Sequence, residues 1–501
     1  MGIIERDSFR VSVISYAGAI LGYLNKIFLF TNFLETEQVG LANLLVTISL
    51  IYAQISALGT RNIITRFFPF FQDEDKRHHG FLFGVIALAM AGFVLTTLLF
   101  VALRQPFALL YQESSPLLVE YAWFLIPLAL ATLFYNLFES YLRSVYRNVI
   151  PTLAHEVILR IGVTVSITLY ALGVLSFPGF VTVYVIAYSV PAILLVLYAG
   201  YKGLLALKPQ YSRLWQRLGR IMIVYGLFTL VNNLSTFLLV SIDSLMVAGL
   251  IDLGAAGIYT TMVFMTSVML IPYRSMVKVA GPLVARFWKT RNMAGMEEVY
   301  QKATAGNLVV GASLFLVIWV NLDTIFQFMA PEYAAGRYVF LVLGMGKLFD
   351  MSAGLNATIL MTSKKYRYDL FFTVTMVVFA VAANTLFIPR FGMEGAALAS
   401  ALTLILFNLL RIAFIQHHYQ VQPFARKQVW VPVIMAGVML LSDQVDPFVH
   451  VLIDLPLRSA VAIALLLMPL RALRISPELN RWTEDVFRKI KAYFRDNDRS
   501  R

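Results

Sequence analysis

Seven polar residues lie inside apolar runs and could do chemistry there: Lys26, Glu156, Arg160, Asn232, Asp243, Lys347 and Asp350. A Lys, Arg or Asp at mid-membrane costs about 2.5–3.5 kcal/mol on insertion scales, so such a residue faces protein or a water-filled cavity. Glu156 and Arg160 are spaced i,i+4, and Lys347 and Asp350 i,i+3. Each pair either neutralises itself along one helix or turns its charge into a cavity. Lys26 fits either a cavity wall or a lysine reaching back to the headgroups, and Arg458, near the end of its run, reads as the latter. As cavity cations, Lys26, Arg160 and Lys347 would recognise an anion, the arginine as a planar fork and the lysines as point charges. Asn232, beside Asn233, would add an amide to such a binding surface, while Glu156, Asp243 and Asp350 are the candidates for gating or coupling.

Other chemistries have no residues to run on. The chain has no cysteine, which excludes disulfides, thiolate metal sites and cysteine nucleophiles. The six histidines give no zinc spacing: His78–His79 and His417–His418 are adjacent pairs, and His155 and His450 stand alone. Gly344-Met345-Gly346-Lys347 comes nearest to a phosphate loop, but it sits inside an apolar run and leads to Leu348 instead of Ser or Thr. No HExxH and no lipase-type serine elbow occur. Transport therefore outranks catalysis, and neither a cofactor nor a metal is expected.

The elements that must position these residues are membrane helices. The 501 residues are 59% hydrophobic and 14% charged, with a mean hydropathy of +0.74. A soluble chain carries roughly 25% charged residues. Fourteen spans are predicted: 11–33, 39–58, 80–103, 119–138, 150–175, 181–201, 221–250, 255–271, 305–326, 338–361, 370–388, 395–410, 429–441 and 455–470. Runs this long and uniformly apolar suit helices, which satisfy their own backbone hydrogen bonds in hydrocarbon, and do not suit barrel strands. The first run continues past Ala17-Gly18-Ala19 to Phe33, so it reads as a retained span instead of a cleaved signal.

The loops give an orientation. With the amino terminus inside, the inner segments hold 34 Lys and Arg and the outer loops three, Arg104, Arg337 and Arg390. That bias predicts both termini in the cytoplasm, and it explains the net charge of +13 without nucleic acid. The outer loops carry acids such as Glu35, Asp252, Asp443 and Asp446. All connections are short, so no soluble catalytic domain is inserted. The inner stretches 60–79, 202–220 and 272–304 mix bases with aromatics and are expected as helices on the membrane surface. The tail from Ser476 is too, with Leu479, Trp482, Val486, Ile490 and Phe494 on one face.

The first half repeats in the second. Leu34-Glu35-Thr36-Glu37-Gln38-Val39-Gly40 and Ile251-Asp252-Leu253-Gly254-Ala255-Ala256-Gly257 are acidic outer loops at an offset of 217, and Gly179 and Gly395 stand 216 apart at later helix starts. Six helices is an even number, so both copies face the same way, as a parallel repeat about an axis along the membrane normal. The same offset places Lys26 on Asp243, and a cross-pair between them is expected to close an outer gate. The expected division is a six-helix bundle over 1–202, a linker over 203–220, a second bundle over 221–418, a helix pair over 419–472 and a basic tail over 473–501.

These pieces, with Leu58-Gly59-Thr60-Arg61, Arg66-Phe67-Phe68-Pro69, Ser241-Ile242-Asp243-Ser244-Leu245-Met246, Ala256-Gly257-Ile258-Tyr259, Gly281-Pro282-Leu283 and Gly395-Ala396-Ala397-Leu398-Ala399, resemble the multidrug/oligosaccharidyl-lipid/polysaccharide superfamily over essentially the whole chain. The resemblance is strongest to its polysaccharide, or O-antigen, flippase branch. It implies an all-α membrane protein with two six-helix bundles around a central cleft plus two C-terminal helices. The implied cargo is an undecaprenyl-diphosphate-linked oligosaccharide, moved across the bacterial inner membrane by alternating access. Membrane lipids and a coupling ion, a proton or sodium, are the further partners, and a monomer is expected. A drug-cation exporter would show an acid-rich cleft, whereas the first-half position here is Lys26. A lipid II flippase is the nearest alternative and shares the fourteen helices. A membrane polysaccharide polymerase or ligase is the alternative of another class, and would need a large outer loop with catalytic groups.

Overall fold

The computed structural model describes residues 3–73, 78–205, 207–210, 213–442, 451–475 and 480; among them there is no strand. Among the described residues ten helices are long and apolar enough to cross a membrane, or up to twelve if each of two bent pairs is one span, so the chain is a multi-pass membrane protein. Among these residues fourteen is not reached on length and hydropathy. Arg367–Tyr419 is continuous for 53 residues except at Gly392 (φ 62°, ψ −139°), so two expected spans fall in one helix. Trp430–Ser442 has 13 described residues, and residues 443–450, which follow it, are not among those described. Asp443, Asp446, His450 and, but for residue 480, the helix expected from Ser476 onward lie outside the described residues.

The repeat is visible in how its helices begin. Glu35 is extended and accepts from the backbone N–H of Gln38, whose side chain returns to the Glu35 N–H at 3.2 Å, starting Thr36–Ser56 with a capping box. At the equivalent position 217 residues on, Asp252 Oδ1 accepts from the Ala255 N–H at 2.7 Å and starts Leu253–Ser267. Equivalent acids thus satisfy equivalent orphan donors, which is why the two loops read alike.

The chain forms two compact units, Met1–Thr261 with Asn384–Met393, and Met262–Ala383 with Glu394–Arg501. In the first unit the helices Arg10–Phe33, Thr36–Ser56, His78–Ala102, Pro116–Ser144, Val149–Ala171 and Phe177–Tyr201 follow in order. Leu95 and Leu98 on the third are about two-thirds exposed, as lipid-facing side chains are. Two helices are interrupted by π-helical turns, Leu24–Leu29 in the first span and Ala154–Ile158 in the fifth. Such bulges are rare and often mark functional positions.

Two of the expected surface helices are docked on protein. Thr60–Phe71 buries Ile63, Ile64, Phe67, Phe68 and Phe71 in the core of the first unit, and Arg61 ties it to Glu139 at 3.3 Å. Trp215 packs 5.2 Å from the Phe71 ring and donates to His79 O at 3.0 Å. The amphipathic pattern was correct, but its apolar face found side chains of the same unit instead of lipid.

In the second unit, Met293–Val320 carries the buried Phe315 and Leu316, and Arg337–Ser352 carries Lys347 and Asp350.

Candidate functional site

The first unit holds a cavity of about 260 Å³ whose mixed walls include Asn25, Lys26, Asn136, His155, Arg160 and Tyr188 beside apolar residues such as Val46 and Leu159. Both π-helical turns contribute to it, Lys26 from one and His155 from the other. The extra residue in each turn re-aims the side chains that follow.

The position of Arg160 is made by the first span. Gly18 and Gly22 are a small-xxx-small pair that lets the fifth span approach closely. A Cβ on Gly18 would lie 2.4 Å from Glu156 O, and one on Gly22 only 1.8 Å from Arg160 Nη1. The guanidinium therefore lies across the backbone of the first span. Buried Asn25 fixes the fifth span beside it: Asn25 Nδ2 donates to Arg160 O at 2.9 Å, and Thr164 Oγ1 donates to Asn25 Oδ1 at 2.8 Å.

The charges are arranged unequally. Arg160 Nη2 donates to Glu156 Oε2 at 3.1 Å, and His155 Nδ1 lies 3.5 Å from Glu156 Oε1. The His155 ring stacks on Tyr135 with centroids 5.0 Å apart. Arg160 Nε is buried and has no hydrogen-bond partner among the protein atoms. Lys26 Nζ donates to Asn43 Oδ1 and lies 4.6 Å from the Phe30 ring centroid. Lys26 and Arg160 thus share one cavity against one carboxylate, an excess of positive charge in a medium that screens poorly. Such a site attracts an anion and offers it an arginine fork.

The remaining sequence candidates lie elsewhere. Asp243 is buried and accepts from Tyr259 Oη at 2.5 Å and from the Ser244 N–H at 2.8 Å. The expected Lys26–Asp243 pair is therefore corrected: Lys26 has Asn43, and Asp243 has a tyrosine sixteen residues along. Asn232 is half-buried on Arg213–Leu250 and is not among the cavity walls. Lys347 and Asp350 are in the second unit. Lys347 Nζ donates to Val263 O at 2.9 Å and Thr266 Oγ1 at 2.8 Å. Asp350 accepts from Asn408 Nδ2 at 2.8 Å, and Asn356 Nδ2 donates to Asn408 Oδ1 at 2.7 Å. Arg411 on the same helix as Asn408 pairs with Asp369 at 2.7 Å, both nearly buried. Of the seven candidates, Lys26, Glu156 and Arg160 come together; Asn25, Asn43 and His155 belong with them and were missed. Asparagines inside apolar runs meet the same criterion that singled out Asn232.

Comparison with known proteins follows the same lines. The sequence pattern described as polysaccharide biosynthesis protein matches residues 4–288, more than half of the chain. A membrane protein of Methanocaldococcus jannaschii is 20% identical over 277 residues, 52% of this chain and 54% of that protein, so the chain spans about half the length of this curated relative. Among solved structures, the lipid II flippase MurJ in an inward closed conformation superposes with a TM-score of 0.69 at 13% identity, over 92% of this chain and 99% of that one. An inward-facing multidrug resistance MATE family transporter of the MOP superfamily gives 0.61 at 16% identity, over 83% and 98%. A MOP superfamily transporter from Pyrococcus furiosus, described as having a binding pocket of reverse polarity, gives 0.51 at 15% identity, over 84% and 96%. The chain shares its fold with these transporters.

Proposed function

Since the chain belongs to the polysaccharide biosynthesis protein family, we propose that it is a flippase for a lipid-linked oligosaccharide. The cargo is a polyprenyl-diphosphate-linked sugar chain, and the chain moves it across the bacterial inner membrane by alternating access, with both termini in the cytoplasm. One observation carries the reading: Lys26 and Arg160 face a single cavity. A diphosphate crossing hydrocarbon needs cations in a wet pocket, and this pocket supplies a guanidinium fork and an ammonium. The charged head is the part of the cargo that these cations match, so it is the part assigned to the cavity.

Asp350 is the candidate for the coupling ion. It sits in a buried amide network with Asn408 and Asn356, which favours binding a proton or sodium over display to bulk water. Lys347 is proposed as a second cation for the cargo, and Asp243 as a gating residue held by Tyr259.

Lipid II is the second reading for the cargo. The observation favouring it is that the lipid II flippase matches 92% of this chain, against 83% for the MATE transporter. Both readings share the diphosphate head. The experiment is export by the Arg160→Ala, Lys26→Ala double variant at matched abundance. Loss of polymer export with normal membrane insertion is expected, and wild-type export would reject the anion cavity. Rescue of cells lacking their lipid II flippase would favour the second cargo.

A further inference from the structure

The second span and the helix Leu253–Ser267 meet in a contact that the repeat makes symmetric. A Cβ on Gly40 would lie 2.0 Å from Leu253 O, and a Cβ on Gly257 would lie 2.1 Å from Thr36 O. Gly40 and Gly257 are equivalent at the offset of 217, and so are Thr36 and Leu253. The two halves of the contact are therefore the same contact, exchanged, as at a two-fold interface. Three residues further along each helix stand Asn43 and Thr260, also equivalent, and Asn43 Nδ2 donates to Thr260 Oγ1 at 2.8 Å.

Here the symmetry of position meets an asymmetry of chemistry. Thr260 commits its own proton to Ala256 O at 2.8 Å, so its oxygen is left to accept from Asn43. Lys26 has only donors, so it must take the other end of the amide, Asn43 Oδ1. Both neighbours fix the amide the same way round. Asn43 is consequently a bridge with one end in the basic cavity, through Lys26, and the other on the helix crossing.

We propose that Asn43 is a positioning residue that couples occupation of the Lys26/Arg160 cavity to the closure of this crossing. The inference rests on the cavity binding a phosphate anion. An anion seated between the two cations competes with a neutral amide oxygen for Lys26, and a charge-assisted bond is the stronger of the two. Lys26 then turns from Asn43 to the anion. Asn43 loses the partner that orients it, and the tie to Thr260 weakens. The Gly40–Gly257 crossing stays closed while the cavity is empty and loosens when it is filled, so an empty carrier does not open.

The absence of cysteine permits a direct test. Glu37→Cys and Leu250→Cys, both at exposed positions flanking the crossing, carry spin labels in the full-length protein. Farnesyl diphosphate is the probe, and its binding is measured in parallel. With native Asn43, the probe is expected to shift the label pair to a longer distance. In Asn43→Leu and in Thr260→Val, the longer distance is expected before the probe is added, with little further change. Asn43→Asp, which holds Lys26 with a full charge, is expected to weaken probe binding by about tenfold. A residue that merely supported the fold would lower thermal stability without altering the probe's effect on distance. Probe binding that depends on Arg160, together with a probe-induced shift in Asn43→Leu equal to that with native Asn43, would overturn the coupling and leave the cavity standing. Absence of Arg160-dependent probe binding would overturn the cavity reading and the coupling with it.

Discussion

Gly22→Ala separates the placement of Arg160 from the stability of the fold. The added Cβ would stand 1.8 Å from Arg160 Nη1, while ordinary contact begins near 3.4 Å, so the guanidinium must retreat by about 1.6 Å. That exceeds the ~0.5 Å within which a binding constellation tolerates displacement. One charge-assisted hydrogen bond contributes about 1.5–3 kcal/mol, so losing one to a bound diphosphate should weaken affinity by about 10- to 150-fold. The atom that must move is the far end of a flexible side chain, and insertion and thermal stability should change little. Gly18→Ala is the contrasting control. Its Cβ would lie 2.4 Å from the Glu156 backbone oxygen, so the helices themselves must part, at about 1–3 kcal/mol of overpacking. Farnesyl diphosphate binding and detergent-solubilised thermal unfolding are measured on both. Undiminished binding by Gly22→Ala, alongside lost binding by Arg160→Ala, would refute the argument that Gly22 places the guanidinium.

Other outcomes follow from the same geometry. Replacing Arg160 and Lys347 together by Ala should block export at unchanged abundance, with Arg160→Lys alone restoring only part, read by polymer export in complemented cells. Glu35→Ala and Asp252→Ala remove equivalent helix caps; each should cost about 1 kcal/mol and the two together about twice that, read from thermal midpoints. Reporter fusions after Glu35 and Asp252 should report outside and fusions at the carboxyl terminus inside; an external tail would reverse the loop assignment.

Composition and loop charge made the membrane class legible, because hydrocarbon imposes the same demand on every span. The repeat was legible as well, since Glu35 and Asp252 must both cap a helix and Gly40 and Gly257 must both admit a neighbouring backbone. The fourteen-span count was less secure, because the polar stretch from Arg390 to Glu394 reads as a loop whereas the helix runs through it with a break only at Gly392. The site was half legible. Lys26, Glu156 and Arg160 stood out as charges in apolar runs, and they meet at one cavity. Their partners Asn25 and Asn43 lie in apolar runs as Asn232 does, and the criterion that picked Asn232 passed them over. The Lys26–Asp243 pair failed for a different reason. Equal depth on equivalent helices says nothing of what lies beside each residue, and Asn43 and Tyr259 lie nearer. The π-helical turns at Lys26 and His155 had no sequence signal of their own.

The central claim is that the cavity holds the charged head of a lipid-linked cargo. Its most direct test is competition binding to the purified protein by farnesyl diphosphate, farnesyl monophosphate and farnesol at rising salt. Salt-sensitive, saturable binding is expected, strongest for the diphosphate and absent for farnesol, and abolished when Lys26 and Arg160 are both replaced by Ala. Equal binding of farnesol, or binding unchanged in that double variant, would contradict the account.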